Sequence, residues 1–317
     1  MRKAPSTKTS VYAALAGNLL VALTKTGAAA LSGSSSMMSE AVHSFVDTGN
    51  EALLLYGIHR AGRPPDPAHP LGHGRELYFW SFVVALLIFA VGAGASVFEG
   101  VGHVLRPEPI RSPMVNYVVL GLALVFEGAS WLVAVRQFAS SKGKLGYLAA
   151  FRRSKNPPSF MVLFEDSAAL LGILLAAVGT FASSTLGLPV VDGIASILIG
   201  VVLGTIAALL ARESKSLLIG EIADSELVDE ILRIAASQRG VESANGVLTA
   251  QLGPDQVVAA LSLEFERGLR ASDVEDAVLG IERKVREAHP EVVAVFVKPQ
   301  SDEIFREAVR RRFGGRP

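Results

Sequence analysis

The sequence contains no cysteine among its 317 residues. Disulfide bonds, zinc fingers built from thiolates and cysteine nucleophiles are therefore excluded, and the redox compartment stays undecided. The chain also lacks net charge, with 30 basic and 30 acidic side chains, and it has no long block of lysine or arginine. Its electrostatics give no reason to expect nucleic acid as a partner. The N-terminal segment resembles neither a cleavable signal nor a transit peptide, so we expect the first apolar run to be retained.

Apolar residues, in contrast, are abundant. Half of the residues are hydrophobic and the mean hydropathy is +0.41, which is too apolar for an ordinary soluble enzyme of this size. Stretches long enough to cross a hydrocarbon core of about 30 Å lie near residues 8–31, 37–58, 77–104, 113–136, 159–184 and 189–211. We therefore predict an α-helical membrane protein with six transmembrane helices in a lipid bilayer. The first two are rich in small and polar residues and need partner helices.

Basic residues mark one side of these spans. They occur at the N-terminus, in the loop after the second span and in the loop after the fourth, whereas the connections on the other side are poor in them. Because lysine and arginine accumulate on the cytoplasmic side of short loops, both termini should be cytoplasmic. A bacterial inner membrane is the expected location, and an organelle of bacterial descent is the alternative.

The C-terminal part of the chain has the pattern of a soluble domain. From Asp224 onward an amphipathic helix, two strands around a Gly-Pro-Asp turn, a second helix and a last strand follow one another. This αββαβ order predicts a small ferredoxin-like α+β domain with helices on one face of a sheet. The expected division is a transmembrane domain over 1–212, a cytoplasmic domain over 213–300 and a tail over 301–317.

The second predicted span carries ionisable side chains at membrane depth. His43 and Asp47 lie one turn apart on a stripe that also contains Glu40 and Asn50 or Glu51. Such residues are costly inside a bilayer and normally face a partner or a watery cavity. An imidazole and a carboxylate on one helix face can bind a cation together, which makes this stripe a candidate metal site.

The fifth span has a similar interruption. Glu165 and Asp166 lie within the apolar run FMVLFEDSAALLGILLAA. An imidazole combined with oxygen ligands suits Zn²⁺, Co²⁺ or Mn²⁺, and zinc is the first choice. The alternative is that these side chains form hydrogen bonds that hold a helix bundle together. Glu99 and Glu127 are further candidates, as supporting partners, proton carriers or interfacial residues.

A second cluster of possible ligands lies in the loop DPAHPLGHGRELYFW. Asp66, His69 and His73 recur at intervals of three and four around proline and glycine. Such a loop can bind a metal near an entrance. The alternative is a solvated turn in which the histidines only cap the following helix.

These motifs resemble the cation diffusion facilitator family of metal/proton antiporters. The resemblance rests on SGSSSMMSEAVHSFVDTGN, on HPLGHGRELYFW, on the six spans and on the αββαβ domain. It implies a transport site with two ligands from the second helix and two from the fifth. His43 and Asp47 match the first pair and Asp166 the second, but Val162 replaces its usual partner. Glu165 is then the expected fourth ligand, with water or Glu127 as alternatives.

The resemblance also implies a second metal site in the loop and a homodimer whose soluble domains pair beneath the membrane. The family's third site is not matched, since the corresponding positions hold Asn245, Leu261 or Ser262, and Lys298. Transport would proceed by alternating access, with Zn²⁺ as the substrate and protons as the counter-ion.

Three other functions would use parts of the same pattern. The same architecture can carry Mn²⁺ or Fe²⁺, and a membrane scaffold that transports nothing would use the polar stripe structurally. A hydrolase with Glu165 and Asp166 as catalytic acids lacks both an H-E-x-x-H motif and a nucleophile with a base. We therefore expect a secondary transporter and no enzyme.

Overall fold

The computed structural model of the protein describes residues 7–141 and 146–313. The chain folds as two compact units. Unit 1 contains the chain up to His59 together with Leu77–Lys215, and unit 2 contains Arg60–Glu76 and the chain from Ser216 onward. The connection between the second and third long helices thus belongs to the same unit as the C-terminal domain.

Unit 1 is built from helices. Helices α1 (Thr7–Ser32) and α2 (Ser35–Ala61) are followed by α3 (Arg75–Leu87), which continues through a π-helical segment (Ile88–Ala93) into α4 (Gly94–Leu105). The remaining helices are α5 (Pro113–Ser141), the short α6 (Tyr147–Arg153), α7 (Pro157–Thr185) and α8 (Val190–Ile219). Each of the six predicted apolar stretches is therefore helical.

Four helical stretches in the described part of the chain are long and apolar enough to cross a membrane. They are Arg75–Leu105, Pro113–Ser140, Pro157–Thr185 and Val190–Ile219. Helices α1 and α2 have a comparable length, 26 and 27 residues, but they are less apolar and are not among the four. The prediction of six spans is thus supported for four stretches, while the first two are shown only to be helical.

Small residues allow close contacts between the helices of unit 1. Helix α5 packs along α7 and against α1, and buried alanines such as Ala28, Ala123 and Ala168 belong to this core. Helices α4 and α8 approach so closely that a Cβ on Gly100 would lie 2.7 Å from the carbonyl oxygen of Gly193. Such backbone contact is the usual way in which helices pack in a membrane.

The first turn of α2 is held by a carboxylate from α8. Asp192 is fully buried and accepts hydrogen bonds from the backbone N–H of Ser35 at 2.6 Å and the Ser34 hydroxyl at 2.9 Å, and also from the Ser36 hydroxyl. A negative charge at a helix N-terminus is stabilising, because the free N–H groups and the helix dipole favour it. This contact fixes the start of the helix that carries His43 and Asp47.

The C-terminal part of unit 2 has the predicted αββαβ order. Its elements are α9 (Ser225–Ala236), β1 (Val241–Gly253), β2 (Gln256–Phe265), α10 (Ala271–Ala288) and β3 (Val292–Pro299). The sheet has the order β1-β2-β3, with β1 antiparallel and β3 parallel to the central strand. Ile231 of α9 and Ile281 of α10 are buried with Leu261 in one apolar core. A small α/β domain is therefore confirmed.

The predicted tail contains a further helix, α11 (Asp302–Phe313). Acidic residues in its first turn and arginines in its last complement the helix dipole. Phe305 packs so closely on β1 that a Cβ on Gly246 would lie 2.5 Å from the ring. The helix is thus packed on the sheet of the α/β domain.

Candidate metal centre

Unit 1 contains a cavity of about 520 Å³ between α1, α2, α5 and α7. Five carboxylates line it, and they come from three of these helices: Asp47, Glu51, Glu127, Glu165 and Asp166. Apolar side chains such as Leu54, Phe126 and Val162 form other parts of the wall. Acidic groups concentrated in a hydrophobic surrounding require a cation or protons to balance their charge.

Three of these carboxylates accept one hydrogen bond each from a neutral side chain on another helix. The pairs are Glu51 with Asn18 at 2.9 Å, Glu165 with Asn50 at 3.1 Å, and Asp166 with Ser130 at 2.9 Å. Each bond engages a single carboxylate oxygen, which fixes the orientation of the group and leaves its other oxygen free to bind a ligand.

His43 and Asp47 are close together but incompletely satisfied. The Nδ1 atom of His43 lies 3.4 Å from the Oδ1 atom of Asp47. Both ring nitrogens of His43 and this Asp47 oxygen are buried and have no hydrogen-bond partner among the described residues. A buried polar atom without a partner carries a desolvation penalty of about 1–3 kcal/mol. Such atoms require an explanation, and an ion, water or proton that completes the site would provide one.

The four candidate transport ligands do not converge on one point. Asp47, Glu165 and Asp166 line the same cavity, whereas His43 does not line it. Within the described ranges, no three of the four place ligand atoms within 4.8 Å of one another. Val162, at the position of the family's usual fourth ligand, lines the cavity but has no donor atom. Glu165 and Asp166 both reach the cavity although they are adjacent in sequence.

Lys25 is a charged residue of this region that the sequence analysis missed. It lies on α1, is fully buried, and donates from Nζ to Glu40 Oε2 at 3.0 Å and to Ser44 Oγ at 2.8 Å. The same nitrogen is 3.8 Å from Glu127 Oε1. The signal was available, since Lys25 interrupts the first apolar stretch and an ionisable side chain at membrane depth is rarely incidental.

The loop between α2 and α3 brings its three candidate ligands together. Ligand atoms of Asp66, His69 and His73 all lie within 4.8 Å of one another. Asp66 Oδ2 is 3.0 Å from His73 Nε2, and Asp66 Oδ1 is 3.2 Å from His69 Nδ1. Two imidazoles and a carboxylate form a donor set that zinc accepts readily, with a fourth position left for water or another group.

Hydrogen bonds within the loop determine the position of the carboxylate. Asp66 Oδ1 accepts from the backbone N–H of His69 at 2.7 Å and of Ala68 at 2.8 Å. The backbone bond from His69, together with the rings of His73 and His69, lowers the pKa of Asp66 to about 2. Asp66 is therefore ionised, as a metal ligand must be, at any physiological pH.

The β1–β2 hairpin of unit 2 supports this loop. A Cβ on Gly74 would lie 2.7 Å from the carbonyl oxygen of Leu252 and would overlap Gln256 Oε1. Gly72 has a φ of +86°, a left-handed conformation that glycine adopts without steric penalty. The loop therefore depends on both glycines for its path over the hairpin.

Asn245 and Ser262, two of the positions where the resemblance would place a third metal site, belong to a polar network. Asn245 Nδ2 donates to the backbone oxygen of Gln300 at 2.7 Å, and the Ser262 hydroxyl donates to Gln300 Oε1 at 3.4 Å. Apart from the loop trio, the described part of unit 2 contains no group of three converging histidine or acidic ligands. Amide and hydroxyl side chains thus form hydrogen bonds at these positions, where the sequence has no metal ligands.

Comparison with known proteins identifies the family. Residues 11–219 match the family described as the cation efflux transmembrane domain. The mitochondrial proton-coupled zinc antiporter of Xenopus laevis is 36% identical over 236 residues, which is 74% of this chain and 42% of the relative. A metal tolerance protein of Arabidopsis thaliana is 33% identical over 258 residues, or 81% of this chain and 56% of the relative.

A bacterial relative is more distant. Cation-efflux pump FieF of Cronobacter sakazakii is 29% identical over 258 residues, or 78% of this chain and 79% of the relative. The chain spans about half the length of the antiporter and the metal tolerance protein. Since mitochondrial and bacterial proteins both occur among the relatives, the expected bacterial inner membrane gains no support. The family match covers α2, the histidine loop and α7, and the chain therefore belongs to the cation efflux family, the cation diffusion facilitators.

Proposed function

We propose that the protein is a Zn²⁺/H⁺ antiporter whose transport site is formed by His43 and Asp47 on α2 and Glu165 and Asp166 on α7. The observation that carries the proposal is the pair of unsatisfied buried nitrogens on His43, one turn from Asp47 and beside an acidic cavity. Imidazole nitrogen with carboxylate oxygen is a donor set typical of zinc. Relatives named as proton-coupled zinc antiporters support both the metal and the counter-ion.

Proton exchange follows from the chemistry of these ligands. A histidine binds metal only as the neutral imidazole, and a carboxylate binds it best when ionised. Metal that enters the site therefore expels protons, and protons that arrive from the other side weaken its binding. An alternating-access cycle, in which the cavity opens first to one side and then to the other, would convert this competition into antiport.

The proposed architecture places all six long helices across the membrane, including α1 and α2. Their polar residues face the cavity and one another, as the bonds of Asn18 to Glu51 and of Lys25 to Glu40 illustrate. The basic loops favour cytoplasmic termini and a cytoplasmic, ferredoxin-like α/β domain. The resemblance to the family supports a homodimer. Analytical ultracentrifugation of the detergent-solubilised protein would test that state.

In the histidine loop, Asp66, His69 and His73 would hold a resident Zn²⁺. Their ligand atoms fit the ion in number, type and convergence. A bound ion would cross-link the two ends of the loop. Asp66 contacts both histidines, and the centroids of the two imidazole rings lie 4.3 Å apart.

A second candidate substrate is Mn²⁺ or Fe²⁺, with Co²⁺ as a closer analogue of zinc. The observation that favours a harder ion is the excess of carboxylates, since five line the cavity and, among the described residues, His43 is the histidine that pairs with one of them. Competition of each metal against zinc uptake would rank them.

Uptake of radioactive zinc into proteoliposomes, with and without a pH gradient, tests the proposal directly. We expect gradient-dependent uptake by the native protein and its loss in His43→Ala/Asp47→Ala. Thr48→Ala is the matched control. Thr48 follows Asp47 directly on α2, and its hydroxyl donates to the backbone oxygen of Ser44 in the same helix.

Uptake that persists in the double variant would contradict the proposed site. Folded native protein that neither binds nor transports zinc or manganese would instead favour a membrane scaffold.

A further inference from the structure

The ammonium group of Lys25 lies in a position where no part of it meets solvent. Its side chain is 0% exposed, as is that of Glu40, with which it forms an ion pair at 3.0 Å. Burying a charge is costly unless it is paired and hydrogen-bonded. The pair satisfies this condition through Glu40 Oε2 and through the Ser44 hydroxyl at 2.8 Å.

The position of Glu40 is constrained by α7. It does not line the cavity, and its second oxygen, Oε1, is buried without a hydrogen-bond partner in the described chain. This oxygen lies directly over Gly172 of α7, where an added Cβ would overlap it. Glu40 therefore has little freedom to turn toward the metal site.

The remaining neighbours of Lys25 connect it to the cavity. Ser44 and Glu127 both contact or approach the ammonium group, and both line the cavity wall. Lys25 therefore lies immediately behind this wall. Its positive charge acts on the cavity carboxylates in a region where screening by water is weak.

We infer that Lys25 is an internal counter-cation that limits the affinity of the transport site for its metal. This inference rests on the proposed function. The ammonium group offsets part of the charge of Glu127 and keeps that carboxylate from becoming an additional metal ligand. Glu40 in turn neutralises the charge of Lys25. The two side chains together therefore determine the net charge next to the cavity. Lys25 is a positioning residue in this role, because it touches none of the four proposed ligands.

The two partners of this ion pair have opposite effects on a divalent cation. Lys25→Met removes a repelling charge and releases Glu127, so zinc binding tightens and release slows. Glu40→Gln removes the shield and leaves the ammonium group unopposed, so zinc binding weakens. A charge acts on a divalent ion twice as strongly as on a monovalent one, and we expect each shift in Kd to be about tenfold or more. If the ion pair were needed only for folding, both substitutions would shift the Kd for zinc in the same direction.

The experiment measures the Kd for Zn²⁺ of the purified full-length protein by isothermal titration calorimetry in detergent. The set comprises Lys25→Met, Glu40→Gln and the charge-neutral double variant Lys25→Met/Glu40→Gln, whose Kd should lie between those of the single variants. Thr24→Val is the matched control, because Thr24 is exposed and bonds only to Leu20 O of its own helix. Metal-free thermal unfolding reports separately on stability.

Opposite shifts in Kd, with the double variant between them, would establish the inference. Shifts of the same sign, or Kd values equal to that of the native protein, would overturn it. If one single variant fails to fold, the other single variant and the double variant still give the sign of the shift in Kd. Failure of the proposed function is distinguishable, since the native protein and Thr24→Val would then bind no zinc beyond the loop site.

Discussion

The two candidate metal sites differ in how the chain builds them. The loop site comes from eight consecutive residues, and its ligand atoms already converge within 4.8 Å. The site in unit 1 draws on α2 and α7, far apart in sequence, and its ligands line or adjoin a cavity of about 520 Å³ without converging. Asp66 and His69 of the loop are exposed, with 45% of the Asp66 side chain accessible, whereas His73 and His43 are buried.

This contrast is the one that the proposed roles require, with a loop site that retains its ion and a site in unit 1 that passes it on. Converged ligands need no rearrangement to bind, and tight binding is then compatible with slow release. Dispersed ligands in a cavity must be brought together by the ion, so part of the binding energy is spent on that movement. A transport site has to release its ion, and the dispersed geometry suits that requirement.

The largest expected effect is at Asp166. Asp166→Asn should reduce zinc transport by more than about 100-fold, beyond the range typical of residues that only support a ligand. Ser130→Ala is the matched comparison, because it removes only the hydrogen bond to Asp166 Oδ2 and should have the smaller effect. Proteoliposome uptake measures both. Near-native transport by Asp166→Asn would remove Asp166 from the proposed site.

Removing the loop ligands should separate binding from transport. His69→Ala/His73→Ala is expected to lose one bound zinc per chain, counted by equilibrium dialysis with metal analysis. Transport should stay within a factor of about two of the native rate, since small free-energy changes are usual for substitutions remote from a functional site. A loss of transport as large as that of Asp166→Asn would show that the two sites are not independent.

The smallest expected effect concerns the charge of Asp66 in metal-free protein. Its pKa is lowered to about 2, first by the backbone N–H of His69 and then by the rings of His73 and His69. A lowered pKa means that the carboxylate stabilises the loop above its unfolded-state pKa of about 3.9, and that this contribution is lost as the pH falls through about 2.

His73→Ala should therefore raise the pKa of Asp66 only part of the way from about 2 toward its unfolded-state value, because the backbone N–H of His69 still donates to the carboxylate. Carbon NMR of labelled aspartate, with Asp66→Asn to assign the signal, would measure it. An unchanged pKa in His73→Ala would mean that the ring makes no contribution.

The convergence of the three loop residues could be predicted because they lie close together in the sequence. Intervals of three and four around proline and glycine nearly determine how Asp66, His69 and His73 meet. The αββαβ domain could be predicted for a related reason, since the pattern of apolar residues in each element already separates helix from strand. The helix in the tail was missed, although acidic residues at its start and arginines at its end indicated it.

The cavity could be predicted only in part. Spacing on α2 placed His43 and Asp47 on one face, but no pattern shows that Asn50 donates to Glu165 or that Ser130 donates to Asp166. Those contacts depend on how the helices pack. The π-helical segment at Ile88–Ala93 likewise depends on packing, and it leaves no mark in the periodicity of the sequence.

Gly172 has a consequence beyond the close packing it permits. It has no side chain, yet the carboxylate of Glu40 occupies the space that a methyl group would need. Gly172→Ala would displace Glu40, and the ammonium group of Lys25 would then lose the partner that shields it. A residue with no ionisable atom would thus affect the charge balance beside the cavity. We therefore expect Gly172→Ala to change the affinity for the ion.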